Sequence, residues 1–309
     1  MLKCLAGYPL YVPQPYSDLS EGYSRKGVCV GDVGIITKDG AFDFLFSICL
    51  SQNGSINPRK LPSGFTLEVS KDSKINHKEQ FPRKTHLFES PVSRKKSLCT
   101  RYTSSEPGGA ILELPEGAFQ DDATSKLPFR RLAVRKGVKW YKYTIGTRGR
   151  DILNGSLYLV TSCTKCTQWG TAVFDRPCTP RDGLRFVQSG GLFRNSGSKY
   201  SWKGSSTLTT KVAPCPDSNH GDSLNQCVFV QGYKIMLRQD IFDDLMNDQL
   251  RQTPQVSMSS RLPKSGRNGT RHRDRHVGDG ATRTRPIQDA TTNHKRPTEA
   301  PLVRGVICH

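Results

Sequence analysis

The sequence predicts an α+β protein: mainly antiparallel sheet with one or two packed helices, followed by a disordered basic C-terminal tail. A turn signal at Asp39-Gly40 separates two runs of strand-forming residues. Apolar residues alternate with polar ones from Phe42 onward, the period of a strand with one buried face. Residues 251–309 contain no Phe, Tyr or Trp and too little apolar surface to offset the entropy of ordering. We predict one domain over residues 1–250, with a mobile basic insertion at about 71–105, and a tail over 251–309.

The hairpin over residues 28–50 is predicted to be the centre of the sheet. A type I′ turn needs positive φ at both central residues, a conformation that Asp-Gly favours. A two-residue turn at this dipeptide sets the cross-strand neighbours as Thr37 with Phe42, Ile35 with Phe44 and Val33 with Phe46. In that register the apolar residues of the second strand share one buried face, and the opposite face is mostly exposed. These residues are Phe42, Phe44, Phe46, Ile48 and Leu50.

Further strands and two helices are predicted along the chain. Short apolar or β-branched runs between turn residues mark strands at 110–114, 156–161, 169–174, 184–187, 200–202 and 226–237. The last of these contains Gly232, where we expect a bulge. A helix over 125–143 has Pro128 in its first turn and apolar residues at helical spacing. A second helix over 240–250 begins with Asp240 as its cap.

Charge and cysteine content limit the class of protein. The chain of 309 residues has a formal net charge of +19, with 12 Lys/Arg against 4 Asp/Glu in residues 251–309. Residues 126–150 hold nine Lys/Arg and no acid, a balance that favours an anionic partner. Ten cysteines are too few for a disulfide scaffold, and we find neither a signal peptide nor a run of about 20 apolar residues. We expect a cytoplasmic or nuclear protein with reduced thiols and no membrane partner.

Cys163 and Cys166 form a Cys-x-x-Cys pair, the clearest chemical motif in the chain. A thioredoxin-like redox pair follows a strand and opens a helix, but the residues after Cys166 predict a turn into another strand. A zinc site would need further ligands from distant loops, for which the candidates are Cys178, Cys215, His220 and Cys227. Cys215 and His220 could also act as nucleophile and base, although a surface loop is the favoured interpretation. We therefore predict ordinary thiols, with no metal, no cofactor and no catalytic residue.

The predicted helix over 125–143 also carries the candidate nucleic-acid-binding residues. These are Arg130, Arg131, Arg135, Lys136 and Lys139. Trp140, Tyr141 and Tyr143 follow them, and a cationic helix with aromatic residues can lie on a phosphate backbone. The alternative interpretation is that Trp140 packs into the core while the cations form a solvated face.

Several stretches of the chain resemble a large family of uncharacterised proteins from mushroom-forming (basidiomycete) fungi. They lie within residues 7–237 and read GYPLYVPQPYSDL, GDVGIITKDGAFDFLFSICL, GAILELPEGA, WYKY, GRDILNGSLYLVTSC, YSW and NQCVFVQGYKI. That family has no established activity, so the resemblance implies neither a catalytic residue nor a cofactor. Because fungal biosynthetic clusters often contain companion genes, it also implies an accessory role in a secondary-metabolite cluster.

Together these features predict a non-enzymatic intracellular accessory or interaction protein with an unknown protein partner. The first alternative is a basic nucleic-acid-associated protein. The second alternative is an enzyme whose site follows no familiar motif.

Overall fold

The computed structural model describes residues 6–52, 54–67, 74–88, 90–95, 101–179, 181–189, 198–204, 209–214, 223–252 and 303–308. The strands are Tyr8–Pro9 (β1), Asp32–Ile36 (β2), Phe42–Ser47 (β3), Ile75–Phe81 (β4), Thr85–Phe88 (β5), Val92–Lys95 (β6), Arg101–Ser104 (β7), Gly109–Leu114 (β8), Ala118–Ala123 (β9), Leu157–Cys166 (β10), Gly170–Phe174 (β11), Arg185–Gln188 (β12), Tyr200–Lys203 (β13), Thr209–Val212 (β14), Gln226–Leu237 (β15) and Val303–Cys308 (β16). The helices are Glu21–Lys26 (α1), Leu127–Lys142 (α2), which continues as a π-helical turn over Tyr143–Thr147, and Gln239–Gln252 (α3).

Antiparallel pairing dominates the structure, which confirms the predicted fold class. The largest sheet has the order β1-β15-β10-β2-β3, extended by β16 on β15, by β9 on β10 and by β4 on β9. A second sheet has the order β14-β11-β8-β5, and β12-β13 and β6-β7 form separate pairs. The ten-residue strand β10 is the central element, because β15 runs along one edge while β2 and then β9 share the other.

Helix α2 forms as predicted and covers one face of the large sheet. Phe129, Leu132 and Trp140 point from the helix into a core shared with Phe46. The Phe46 ring meets that of Trp140 edge-on, with centroids 5.7 Å apart. Tyr23 of α1 packs on the opposite face of the sheet. Burial of both faces explains why β3 has no exposed residue.

The central hairpin has a three-residue loop rather than the predicted type I′ turn. Gly40 has a φ of 81°, whereas Asp39 does not have positive φ. The Thr37 carbonyl accepts from Gly40 N at 3.0 Å, and the Ala41 carbonyl accepts from Thr37 N at 2.9 Å. Among three-residue hairpin loops, a turn followed by a left-handed glycine is the common form. Thr37 Oγ1 supports the loop, because it accepts from Ala41 N at 3.0 Å.

The longer loop shifts the predicted register by one residue near the turn. Ile36 pairs with Phe42 and Ile35 with Asp43, so two of the three predicted pairs are wrong. A bulge at Leu45 then absorbs the extra residue and restores the predicted pair of Val33 with Phe46.

The same bulge divides the aromatic row between the two faces of the sheet. Phe42 and Phe44 pack with Tyr23, whereas Phe46 packs under α2. The prediction of a single buried face is therefore wrong for this strand. Its cause is the inserted residue, which changes the face to which each later side chain points.

Residues 71–105, predicted as a mobile insertion, contain the strands β4 to β7 where the structure describes them. Residues 71–73, 89 and 96–100 lie outside the described residues. Strand β4 pairs along β9 although most of its side chains are exposed. A strand with two polar faces gives no period-two signal, which is why the sequence pattern did not reveal it.

The segment predicted as a disordered tail lies mostly outside the described residues, which omit 253–302 and 309. Helix α3 ends at Gln252, two residues beyond the predicted end of the helix. Val303–Cys308 differs from the prediction, because it forms β16 and pairs with residues 233–237 of β15. This stretch has the β-branched residues that suit a strand, and the edge of β15 offers it unpaired backbone groups.

Candidate functional site

The Cys-x-x-Cys pair lies inside β10 rather than between a strand and a helix. Cys163 packs beside Cys227 on one side of the sheet, and Cys166 belongs to a different core cluster with Trp169. All three side chains are at most 1% exposed, and each thiol is free. Burial raises the pKa of all three thiols, that of Cys227 to about 12. The arrangement lacks both the helix and the exposed thiolate that redox chemistry needs.

The zinc hypothesis involved residues on several loops. Within the described ranges, no group of three or more His, Cys, Asp or Glu side chains is arranged to hold a metal ion. Cys215 and His220 lie outside the described residues, so neither their proposed metal role nor their proposed nucleophile–base role has a described geometry. Cys178 lies at a β-bridge with Ser104, away from β10.

A charge network around the largely buried Lys165 was not predicted from the sequence. The ammonium of Lys165 is 3.3 Å from Asp121 Oδ2 and donates to the Lys26 carbonyl at the end of α1. Asp121 also contacts His77, whose Nδ1 lies 2.6 Å from Oδ1. The Lys165 side chain is only 12% exposed. It holds α1 against the β9–β10 pair, because the last carbonyls of a helix attract a cation.

Asp32 is a second buried acid that the sequence pattern did not reveal. Its side chain is 1% exposed and accepts from the Cys29 amide at 2.8 Å. Burial raises the pKa of Asp32 to about 7, although the Cys29 amide and the Ser47 hydroxyl oppose the shift. Burial and the nearby Asp32 charge raise the pKa of the Cys29 thiol to about 11. Cys29 is therefore not an activated nucleophile.

A third polar network joins β5, β6, β7 and β8. Glu113, 3% exposed, accepts from Tyr102 and lies 2.5 Å from His86 Nδ1. Arg94 Nη2 is 2.6 Å from His86 Nε2. Because a guanidinium can only donate, His86 accepts at Nε2 and donates from Nδ1. Burial, then the Glu113 carboxyl, raises the pKa of Tyr102. Both ring nitrogens of His86 are engaged, which favours a structural role.

Helix α2 presents most of its cations on the side opposite the core. Arg130, Arg131, Arg135, Lys139 and Lys142 are exposed. Lys136 is half-buried, and its ammonium donates to the Gly64 carbonyl at 3.1 Å. The structure thus brings three of the five predicted nucleic-acid-binding residues, together with Lys142, onto one exposed surface, whereas Arg130 is exposed about 100° around the helix from Arg131. We call Arg131, Arg135, Lys139 and Lys142 the α2 cationic face.

The aromatic residues of this segment point inward. Trp140 and Tyr143 pack around Phe46, and both rings are 3% exposed. The Tyr141 hydroxyl donates to the Ile235 carbonyl at 2.8 Å and accepts from the Gly155 amide at 2.7 Å. Their burial matches the alternative interpretation given above, in which the aromatic residues are core and the cations are solvated.

Comparison of the chain with known protein families and with curated proteins yields no match. Among the described helices, none has both the length and the apolar composition needed to cross a membrane.

Proposed function

We propose that this chain is a non-enzymatic interaction protein that binds an anionic partner through the α2 cationic face. The observation that supports the proposal is the composition of α2, which carries six Lys/Arg and no acid over sixteen residues. Burial of its aromatic half leaves only positive charge and a few aliphatic side chains facing solvent.

The charge pattern is costly for the helix itself. Arg131 and Arg135 are four residues apart, as are Arg135 and Lys139, and like charges at this spacing destabilise a helix by roughly 0.2–0.5 kcal/mol per pair. A face that only needed to be soluble would gain from mixed charges. Because the helix carries only positive charges despite this cost, we infer that these charges recognise a partner.

A non-enzymatic role is supported by the chemistry of the other polar sites. The described thiols have raised pKa values, which removes the thiolate that nucleophilic chemistry uses. In the remaining networks, His86 and Lys165 are each held by protein partners.

Retention on heparin, a general polyanion, tests the proposal. We expect the full chain to elute at high salt and the variant Arg131→Gln/Arg135→Gln/Lys139→Gln to elute at clearly lower salt, because binding through fewer cations releases fewer counterions from heparin. The matched control is Lys38→Gln/Lys78→Gln/Lys203→Gln, which removes the same charge from exposed residues on other elements. Equal elution of the two triple variants would show that net charge, rather than α2, governs retention, and would refute the proposal.

A further inference from the structure

We infer that the partner of the α2 cationic face is double-stranded nucleic acid, contacted through its phosphates and not through its bases. The inference rests on the proposed anion-binding function and adds the class of partner.

The cations form a row along the helix. With about 100° and 1.5 Å per residue, Arg131, Arg135 and Lys142 fall within an arc of about 40°, and Lys139 lies about 40° beyond it. The row from Arg131 to Lys142 is about 16 Å long. A duplex carries one charge per about 1.7 Å of its axis, so about ten phosphates fall within that length. An extended acidic peptide carries at most one charge per about 3.3 Å, about half that density, and it also loses conformational entropy on binding.

A single strand gains little from this surface. Proteins that hold single strands combine cations with exposed aromatic rings on which bases stack. The rings nearest the row, those of Trp140, Tyr141 and Tyr143, are buried. Both tyrosine hydroxyls donate to backbone carbonyls, of Ile235 and Lys60 respectively. The face therefore offers charge without a stacking platform, which favours the denser charge of a duplex.

The composition of α2 argues against reading of bases. Base readers match the donors and acceptors of the major groove with mixed side chains, such as Asn or Gln for adenine and Glu or Asp for cytosine. Phe129, Leu132, Ala133, Gly137, Trp140 and Tyr141 hold one side of α2 in the core. The opposite side exposes only Lys, Arg and a few apolar residues, so it offers charge for phosphates but no amide or carboxylate side chain to read adenine or cytosine.

An anionic membrane fits this surface less well than a duplex does. Helices that bind membranes insert a wide apolar face, and the apolar face of α2 is already used by the core. Two apolar side chains remain exposed on the helix, Leu127 at 52% and Val134 at 40%. They are seven residues apart and do not form a continuous apolar stripe.

The test is fluorescence anisotropy of the full chain with a labelled duplex of about 20 base pairs, roughly four times the length of the row. We expect about four phosphate contacts, hence a slope of log K against log salt of about −3.6. A duplex of scrambled sequence should bind within about twofold, and the single strand at least about fivefold more weakly.

The variants compared are Arg131→Gln/Lys139→Gln/Lys142→Gln and the control Lys38→Gln/Lys78→Gln/Lys203→Gln. The first should make the salt slope shallower by about 2 to 3, and the second should leave it nearly unchanged. Equal or tighter binding of the single strand, a strong sequence preference, or displacement of the duplex by phosphatidylserine vesicles would overturn the inference. If heparin retention still depends on α2 in that case, anion binding stands and only the duplex is refuted.

Discussion

Replacing Asp32 by Asn should remove a pH-dependent penalty on the stability of the protein. Asp32 is the first residue of β2, and its carboxylate accepts a hydrogen bond from the Cys29 amide in the preceding turn. The asparagine carbonyl can keep that hydrogen bond, and the hydroxyl of Ser47 lies close enough to meet the new amide group. The substitution therefore removes an ionisable group while preserving the shape of the site.

The sign and size of the effect follow from linkage. Burial raises the pKa of Asp32 from 3.8 to about 7, so the folded protein holds this proton more tightly than the unfolded chain does. The penalty is absent below pH 3.8, grows as the pH rises towards about 7, and is complete above that. A shift of about three pKa units corresponds to about 4 kcal/mol as an upper value.

Urea unfolding at pH 5 and pH 8 measures this directly. We expect the Asp32→Asn variant to gain stability relative to the wild type at pH 8 by up to about 2.7 kcal/mol more than at pH 5, because only the interval from pH 5 to about pH 7 contributes to the difference. Asp151→Asn removes the same charge from an exposed acid and serves as the control for the change in net charge. If Asp32→Asn and the wild type show the same pH dependence, Asp32 does not titrate as its burial requires.

Three further predictions concern α2, the central strands and the thiols. Arg131→Glu should raise the free energy of unfolding, measured with urea, by up to about 0.5 kcal/mol, because it turns a like-charge pair with Arg135 into an attractive one. The same change should weaken heparin retention. A loss of both stability and retention would contradict this prediction. Gly232→Ala should destabilise by about 1–3 kcal/mol or more, since the added Cβ would lie 2.0 Å from the Leu159 carbonyl oxygen; Gly54→Ala, with its nearest contact at 3.3 Å, is the control. Cys163, Cys166 and Cys227 should resist alkylation at pH 8 until the protein unfolds, and rapid labelling of the native protein would show that they are accessible.

Much of the fold could be predicted where the signal is local. The spacing of Phe129, Leu132 and Trp140 predicted α2, because a helix that packs on a sheet must present apolar residues at its own period. Strand β15 formed over residues 226–237 as predicted. The bulge expected at Gly232 lies instead on the neighbouring strand β10, where Thr161 is the extra residue opposite Gly232. The glycine is still required, since the Leu159 carbonyl approaches it closely.

Other features depend on contacts between distant parts of the chain. The hairpin loop needed one more residue than the Asp-Gly signal indicated, and only the bulge at Leu45 restored the pairing of Val33 with Phe46. Strand β4 is polar and has no alternation of apolar residues, so its sequence did not predict a strand. It forms a strand because its backbone pairs with β9. Nothing in the sequence distinguishes Asp32, Glu113 and Lys165 from charged residues on the surface.

The cationic surface was determined mostly by the sequence. Nine Lys/Arg without an acid in residues 126–150 define the charge whatever the fold, because these side chains ionise at neutral pH in almost any exposed position. What the tertiary structure decided is which side of the helix each residue occupies. The sheet buried Trp140 and Tyr141 and left Arg131 exposed, since aromatic rings gain from leaving water and guanidinium groups do not. Charge is a property of composition, whereas a charged face without aromatic rings exists only after the core has formed.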